Sequence, residues 1–227
     1  MDLNEHYNCL FERSAKAIVE GCYTLDDQID SAADNRYGIT LLLRPEDKIR
    51  RKMQVFLDEL KAIEPAQYYY PASDIHVTVL SIISCYGGFD LGQIEVQDYV
   101  ETIKKSLKGV AGMEICFRGI SASIAAVMIQ GFPADENLND LRSRLRLDFK
   151  ESALQHSIDS RYSIFTAHAT VARFRKPLHD EQKFVDLLQK YRQHDFGKCR
   201  VDNLELVYND WYQRDKFVKK LHTFNLR

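Results

Sequence analysis

The sequence predicts an α+β protein built from two similar lobes, with antiparallel-rich sheets and helices packed outside them. Three observations carry this. Strand-like and helix-like periodicities interleave along the chain from residue 36 onward. Two strand-helix-strand blocks, residues 36–83 and 123–175, each end in a strand bearing a His-x-Thr core, the mark of an internal duplication. No low-complexity stretch or clean linker follows residue 35, so residues 36–227 read as one bilobal domain, preceded by an N-terminal helix and acidic linker over residues 1–35.

The elements follow from local pattern. Tyr7, Leu10, Phe11, Ala17 and Ile18 recur at roughly helical spacing within residues 4–21, Ser14 completes the stripe, and Gly21 is a stop signal. Asp26, Asp27, Asp30 and Asp34 among small residues predict a solvated linker. Residues 36–44 make a first strand that Pro45 ends, and Ile49, Met53, Phe56, Leu57 and Leu60 place a helix over 46–63. Tyr68, Tyr69 and Tyr70 lead into the first His strand, either packed under a loop or as a rim on which a base can stack. Gly87 and Gly88 close that strand.

Residues 98–108 have the balance of a surface helix, 113–118 alternate as a half-exposed strand, and 123–130 form another strand. Leu138, Leu141, Leu145, Leu147 and Phe149, mostly at helical spacing, place a helix over 136–154. Its Arg142, Arg144 and Arg146 read as a solvated face, with phosphate contact the rarer use. A helix over 180–194 follows the second His strand, and residues 199–208 and 217–226 pair as a hairpin.

Composition narrows the function classes. With 227 residues, 45% hydrophobic and 28% charged, the chain is long enough to bury a sizeable core. Its formal net charge of −2 supplies no overall field for long nucleic acid, so phosphate recognition must come from a local site suited to a small or terminal phosphate. Five cysteines without Cys-x-x-Cys spacing argue against a disulfide framework and a structural zinc site. No apolar run approaches the ~20 residues a membrane span needs, and acidic residues stand where a signal peptide would start. The expectation is a cytoplasmic protein with no membrane partner, and no protein partner is inferred.

The two His-x-Thr cores are His76-Val77-Thr78-Val79 and His168-Ala169-Thr170-Val171. Random placement gives roughly 0.2 His-x-Thr matches in a chain with this many histidines, so one match means little and two with a shared Val carry weight. A lone histidine in such a run is usually a core residue bonded to backbone. On a strand, however, His and Thr two apart share a face, while Ile75, Val77 and Val79, or Ala167, Ala169 and Val171, take the other. Each strand thus presents an imidazole beside a hydroxyl.

Paired His-x-Thr strands, roughly ninety residues apart, resemble the two-histidine (2H) phosphoesterase superfamily. The Val171-Ala172-Arg173 tail is similar to its 2'-5' RNA ligase and cyclic phosphodiesterase branch. The resemblance covers about residues 36–227 and implies that the two His strands face each other across a central cleft. It implies His76 and His168 as a general acid/base pair and Thr78 and Thr170 as phosphate ligands, with no metal or cofactor. Tyr37 resembles the aromatic of the family's first strand and is assigned weakly to substrate. Arg173 is assigned weakly too, because its parity is opposite to that of His168 and a regular strand would turn it away from the cleft. Ala167 stands where relatives often carry a proline.

The chemistry agrees with the resemblance. In-line displacement at phosphorus needs a base on the entering oxygen and an acid on the leaving one, and imidazole serves either role near neutrality. A hydroxyl beside each ring can donate to a non-bridging oxygen. The predicted partner is a nucleotide or RNA terminus with a cyclic phosphate, opened by this chain or, in reverse, joined by 2'-5' ligation. The rival from another class is a nucleotide- or RNA-binding module on the same fold, whose expected mark, loss of one histidine, is absent here.

Overall fold

The computed structural model describes residues 2–161 and 163–226. Two antiparallel sheets, each backed by helices, form the two lobes. In chain order the elements are α1 (Leu3–Val19), β1 (Arg36–Leu43), α2 (Asp47–Ile63), β2 (Tyr68–Tyr69), β3 (Val77–Gly87), α3 (Val96–Ser106), β4 (Met113–Ala122) and β5 (Ala126–Pro133). They continue with α4 (Asn137–Glu151), β6 (Ala169–Arg173), α5 (Glu181–Lys190), β7 (Asp195–Val201), β8 (Asn203–Asp210) and β9 (Lys219–Asn225).

One sheet has the order β3-β1-β8-β9 and the other β2-β6-β5-β4-β7. The order makes the duplication visible. β1 lies antiparallel to β3 in one lobe, and β5 lies antiparallel to β6 in the other, so each strand-helix-strand block contributes a His strand next to its own first strand. Both sheets share one apolar core. Ile75, Val77 and Val79 on one side, and Ala167, Ala169 and Val171 on the other, are fully buried. That leaves the opposite face of each His strand for the cleft, as strand alternation requires.

Helix ends follow capping rules. Asp2 accepts from the Asn4 amide to start α1, and Asp180 accepts from the Lys183 amide to start α5. α1 buries Tyr7, Phe11, Ser14 and Ile18, the predicted stripe, against β4 and α5. No helix among the described residues is long and apolar enough to cross a membrane.

Three expectations change. Residues 199–208 are not one strand: the chain leaves β7 in one sheet and enters β8 in the other at Asp202, because alternating burial continues across a sheet change and one sequence pattern cannot mark it. The hairpin partner is β9, paired antiparallel to β8. The second His strand is regular only from Ala169, and residues 163–168 run as an irregular approach to it.

The acidic linker is not free in solvent either. Ile29 is buried, the Tyr212 hydroxyl donates to Asp26 at 2.8 Å, the Arg214 guanidinium donates to the Ile29 carbonyl, and Asp34 forms a two-pronged pair with Arg36. Its carboxylates meet arginines and a tyrosine, several of them contributed from far along the chain, partners that a local reading does not contain.

Candidate active site

The residues after the first block's helix enter β3 through Ser73, Asp74 and Ile75, and the His76 ring turns back to place Nδ1 2.7 Å from the Asp74 carbonyl oxygen. A carbonyl only accepts, so this bond assigns the neutral-ring proton to Nδ1 and leaves Nε2 as an acceptor. In the other lobe His168 Nδ1 lies 2.7 Å from the Thr166 hydroxyl. A hydroxyl donates or accepts, so His168 can carry its proton on either nitrogen.

Both rings, together with Thr78 and Thr170, line a single cavity of about 190 Å³ between the lobes. Burial pushes both imidazoles down to about 4. For His76 the Asp74 carbonyl opposes that shift, and nearby Arg44, His168 and Arg173 add to it. For His168, Arg142, His6 and Arg173 add to it. Both rings are therefore neutral at pH 7 in the free protein, and an anion between them would draw a proton onto one.

The cavity suits an anion. Arg161 and Arg173 line it, and Asp159, its one acidic lining residue among those described, is already paired to Arg146 at 2.6 Å. Ser81 and Ser84 add hydroxyls to the wall. No group of three or more His, Cys, Asp or Glu among the described residues is placed to hold a metal ion.

Arg173 is in the cleft, contrary to its strand parity. In the β5/β6 ladder Val127 opposes Ala172 and Met128 opposes Thr170, so Val171 is an extra residue, a bulge that reverses parity after it. Arg173 Nε donates to the Tyr70 hydroxyl at 2.9 Å, and its Nη1 lies 3.9 Å from Asp26. Burial disfavours its charge, but Tyr70 and Asp26 outweigh that and keep it a cation.

Tyr37 does not line the cavity. Its ring stacks on Tyr208 at 4.8 Å and 9°. Tyr70 does, and with Trp211 and Tyr212 it forms the aromatic part of the wall. Arg161 donates to the Cys85 carbonyl and lies over Trp211 at 4.5 Å. Sequence reasoning missed Arg161, Trp211 and Tyr212. The available signal is the cluster of Trp211, Tyr212 and Arg214 just after a strand, inside the predicted hairpin loop.

Arg142 is the other departure. It is fully buried on α4 rather than solvated, and its guanidinium donates to the carbonyls of Thr78, Val79 and Thr166 at 3.0, 2.9 and 2.8 Å. Thr78 and Val79 belong to one His strand and Thr166 leads into the other. One side chain thus ties the two lobes together directly behind the imidazoles. Close packing acts nearby at Gly131 on β5, where a Cβ would stand 1.9 Å from the Ala167 carbonyl oxygen.

No protein-family model matches the chain, and no curated protein matches it significantly in sequence. Solved structures do match it in shape. TT0787 of Thermus thermophilus superposes with a TM-score of 0.60 at 16% identity, over 84% of this chain and 98% of that one. Escherichia coli LigT complexed with 3'-AMP gives 0.53 at 11% identity, over 84% and 98%. This is the two-histidine phosphoesterase fold. A conserved protein of unknown function from Agrobacterium tumefaciens superposes with a TM-score of 0.55 at 15% identity, over 93% of this chain and 98% of that one. The predicted α+β, two-lobed architecture is thus the observed one.

Proposed function

We propose that this chain is a phosphoesterase that opens 2',3'-cyclic or related cyclic phosphodiesters of RNA ends or nucleotides, and that can run the reverse 2'-5' ligation. The observation that carries the reading is the convergence of His76, Thr78, His168 and Thr170 on one cation-lined cavity. The fold supports a 2H-type enzyme in general, and LigT has been captured with 3'-AMP, ATP and phosphate.

In this reading the phosphate sits between the rings. The neutral ring accepts the proton of the entering oxygen, the imidazolium formed on anion binding protonates the leaving oxygen, and Thr78 and Thr170 hydroxyls hold the non-bridging oxygens. Arg173 adds fixed positive charge, and Tyr70 and Asp26 hold it in place. No step calls for a metal. The test is incubation with nucleoside 2',3'-cyclic phosphates in EDTA. Turnover that disappears in His76→Ala and in His168→Ala supports the reading; binding without turnover in the wild type refutes it.

A further inference from the structure

The bond between His168 Nδ1 and the Thr166 hydroxyl leaves the ring proton on either nitrogen, so the group that takes the hydroxyl's own proton decides. That group comes from the N-terminal helix α1, which precedes both strand-helix-strand blocks. Tyr7 of α1 is 1% exposed, and its phenol donates to the Gly131 carbonyl of β5 at 3.3 Å. Gly131 lies against Ala167, the neighbour of His168, so closely that a Cβ has no room. The Thr166 side chain and the Ala167 backbone also bond the phenol oxygen, and both favour negative charge on it, as groups that donate to it do. Tyr7, Thr166 and His168 line one small cavity together.

The helix holds this phenol in a fixed place. The Ser121 hydroxyl donates to the Tyr7 carbonyl at 3.1 Å, the Tyr7 ring meets Phe132 edge-on at 5.4 Å, and the neighbouring His6 packs edge-on against Phe165 at 4.8 Å. Burial pushes the phenol up to about 12, so it keeps its proton at pH 7. A carbonyl only accepts. The Tyr7 proton therefore goes to Gly131, and the phenol oxygen is left to accept. Thr166 has one hydroxyl proton; given to Tyr7, it leaves the Thr166 oxygen as an acceptor, and His168 Nδ1 must be the donor.

We infer that Tyr7 is a positioning residue for the second histidine: through the Thr166 hydroxyl it holds the neutral-ring proton of His168 on Nδ1 and leaves Nε2 free to exchange a proton with substrate. This rests on the phosphoesterase reading and deepens it by making α1 part of the site. Donation runs from His168 to Thr166 to Tyr7 and ends on the Gly131 carbonyl, the kind of acceptor that His76 meets directly in Asp74. Both rings then keep the same tautomer, one through a carbonyl of its own lobe and the other through a helix outside the duplicated blocks.

Nitrogen-15 NMR of the histidine rings in the full chain at pH 7 reads the proton directly. Wild-type His168 is expected to show a protonated Nδ1 and a bare Nε2; a protonated Nε2 overturns the inference without any variant. In Tyr7→Phe, which keeps the ring and its packing, the Thr166 proton turns to Nδ1 and the His168 proton moves to Nε2, while the His76 signals stay as they were. An unmoved His168 proton overturns it. With a nucleoside 2',3'-cyclic phosphate, Tyr7→Phe should lower kcat about tenfold and leave KM within about twofold, the effect of one mis-set hydrogen bond; an unchanged kcat overturns the positioning role. The effect must also pass through Thr166, so in a Thr166→Val background Tyr7→Phe should add less than about twofold. An undiminished loss there shows that Tyr7 acts through packing alone and overturns the relay. If the wild type turns over no cyclic ester, the phosphoesterase reading fails, and the ring-nitrogen signals still decide where the proton sits.

Discussion

Replacing Arg142 by Met keeps much of the side chain's volume and removes the guanidinium that joins the lobes. Three backbone carbonyls, those of Thr78, Val79 and Thr166, lose their donor. A hydrogen bond from a charged donor contributes ~1.5 kcal/mol at the low end of the measured range, a net value that already includes desolvation. The low end applies because burial penalises this charge, pushing the Arg142 guanidinium down to about 10. Three such bonds give about 4.5 kcal/mol, a large part of an ordinary domain's stability. Urea unfolding followed by circular dichroism at pH 7 should show a loss of that order in Arg142→Met and a smaller one in Arg142→Lys, which keeps the charge but not the fork. A loss below about 1 kcal/mol in the Met variant would refute the tie between lobes.

Other expectations follow from the same geometry. His76→Ala and His168→Ala should each lower kcat/KM by ~100-fold or more while circular dichroism stays that of the wild type; normal turnover in either ends the acid/base assignment. Arg173→Met should raise KM for an anionic substrate more than it lowers kcat, because the cation lines the cavity without a hydrogen bond to either imidazole, and an unchanged KM contradicts this. Gly131→Ala should cost ~1–3 kcal/mol in thermal or urea unfolding, since the new Cβ meets the Ala167 backbone and strand and approach must separate. The two histidines set a pH dependence of stability. Their folded values of about 4 lie below the ordinary 6.5, so the unfolded chain binds more protons between those limits. Stability is therefore full above pH 6.5 and falls as pH drops toward 4. A His76→Gln, His168→Gln double variant should lose less urea resistance than the wild type as pH is lowered from neutrality toward the folded values, and equal losses would show that the rings are not desolvated.

The sequence carried much of the site because the chemistry lies in short motifs on strands. Alternation alone placed His76 with Thr78 and His168 with Thr170 on one face, and buried Val77 and Ala169 on the other. It misplaced Arg173 because a bulge at Val171 depends on pairing with β5, which no window around residue 171 contains. Arg142 looked solvated because its neighbours Arg144 and Arg146 set a charged pattern; the carbonyls it serves come from segments 24 to 64 residues away in sequence. The division of residues 199–208 between two sheets escaped for the same reason: β7 and β8 differ in their partners, not in their composition. Long-range pairing, rather than local propensity, decides each of these.

The account stands on both imidazoles contacting one phosphate. Ring-resolved NMR titration of the wild-type protein with inorganic phosphate measures this directly. The expected result is that the His76 and His168 ring signals move along one saturation curve with a common Kd, and that at least one ring pKa rises from about 4 as the anion binds. A response confined to one ring, or two curves with different midpoints, contradicts a shared phosphate site.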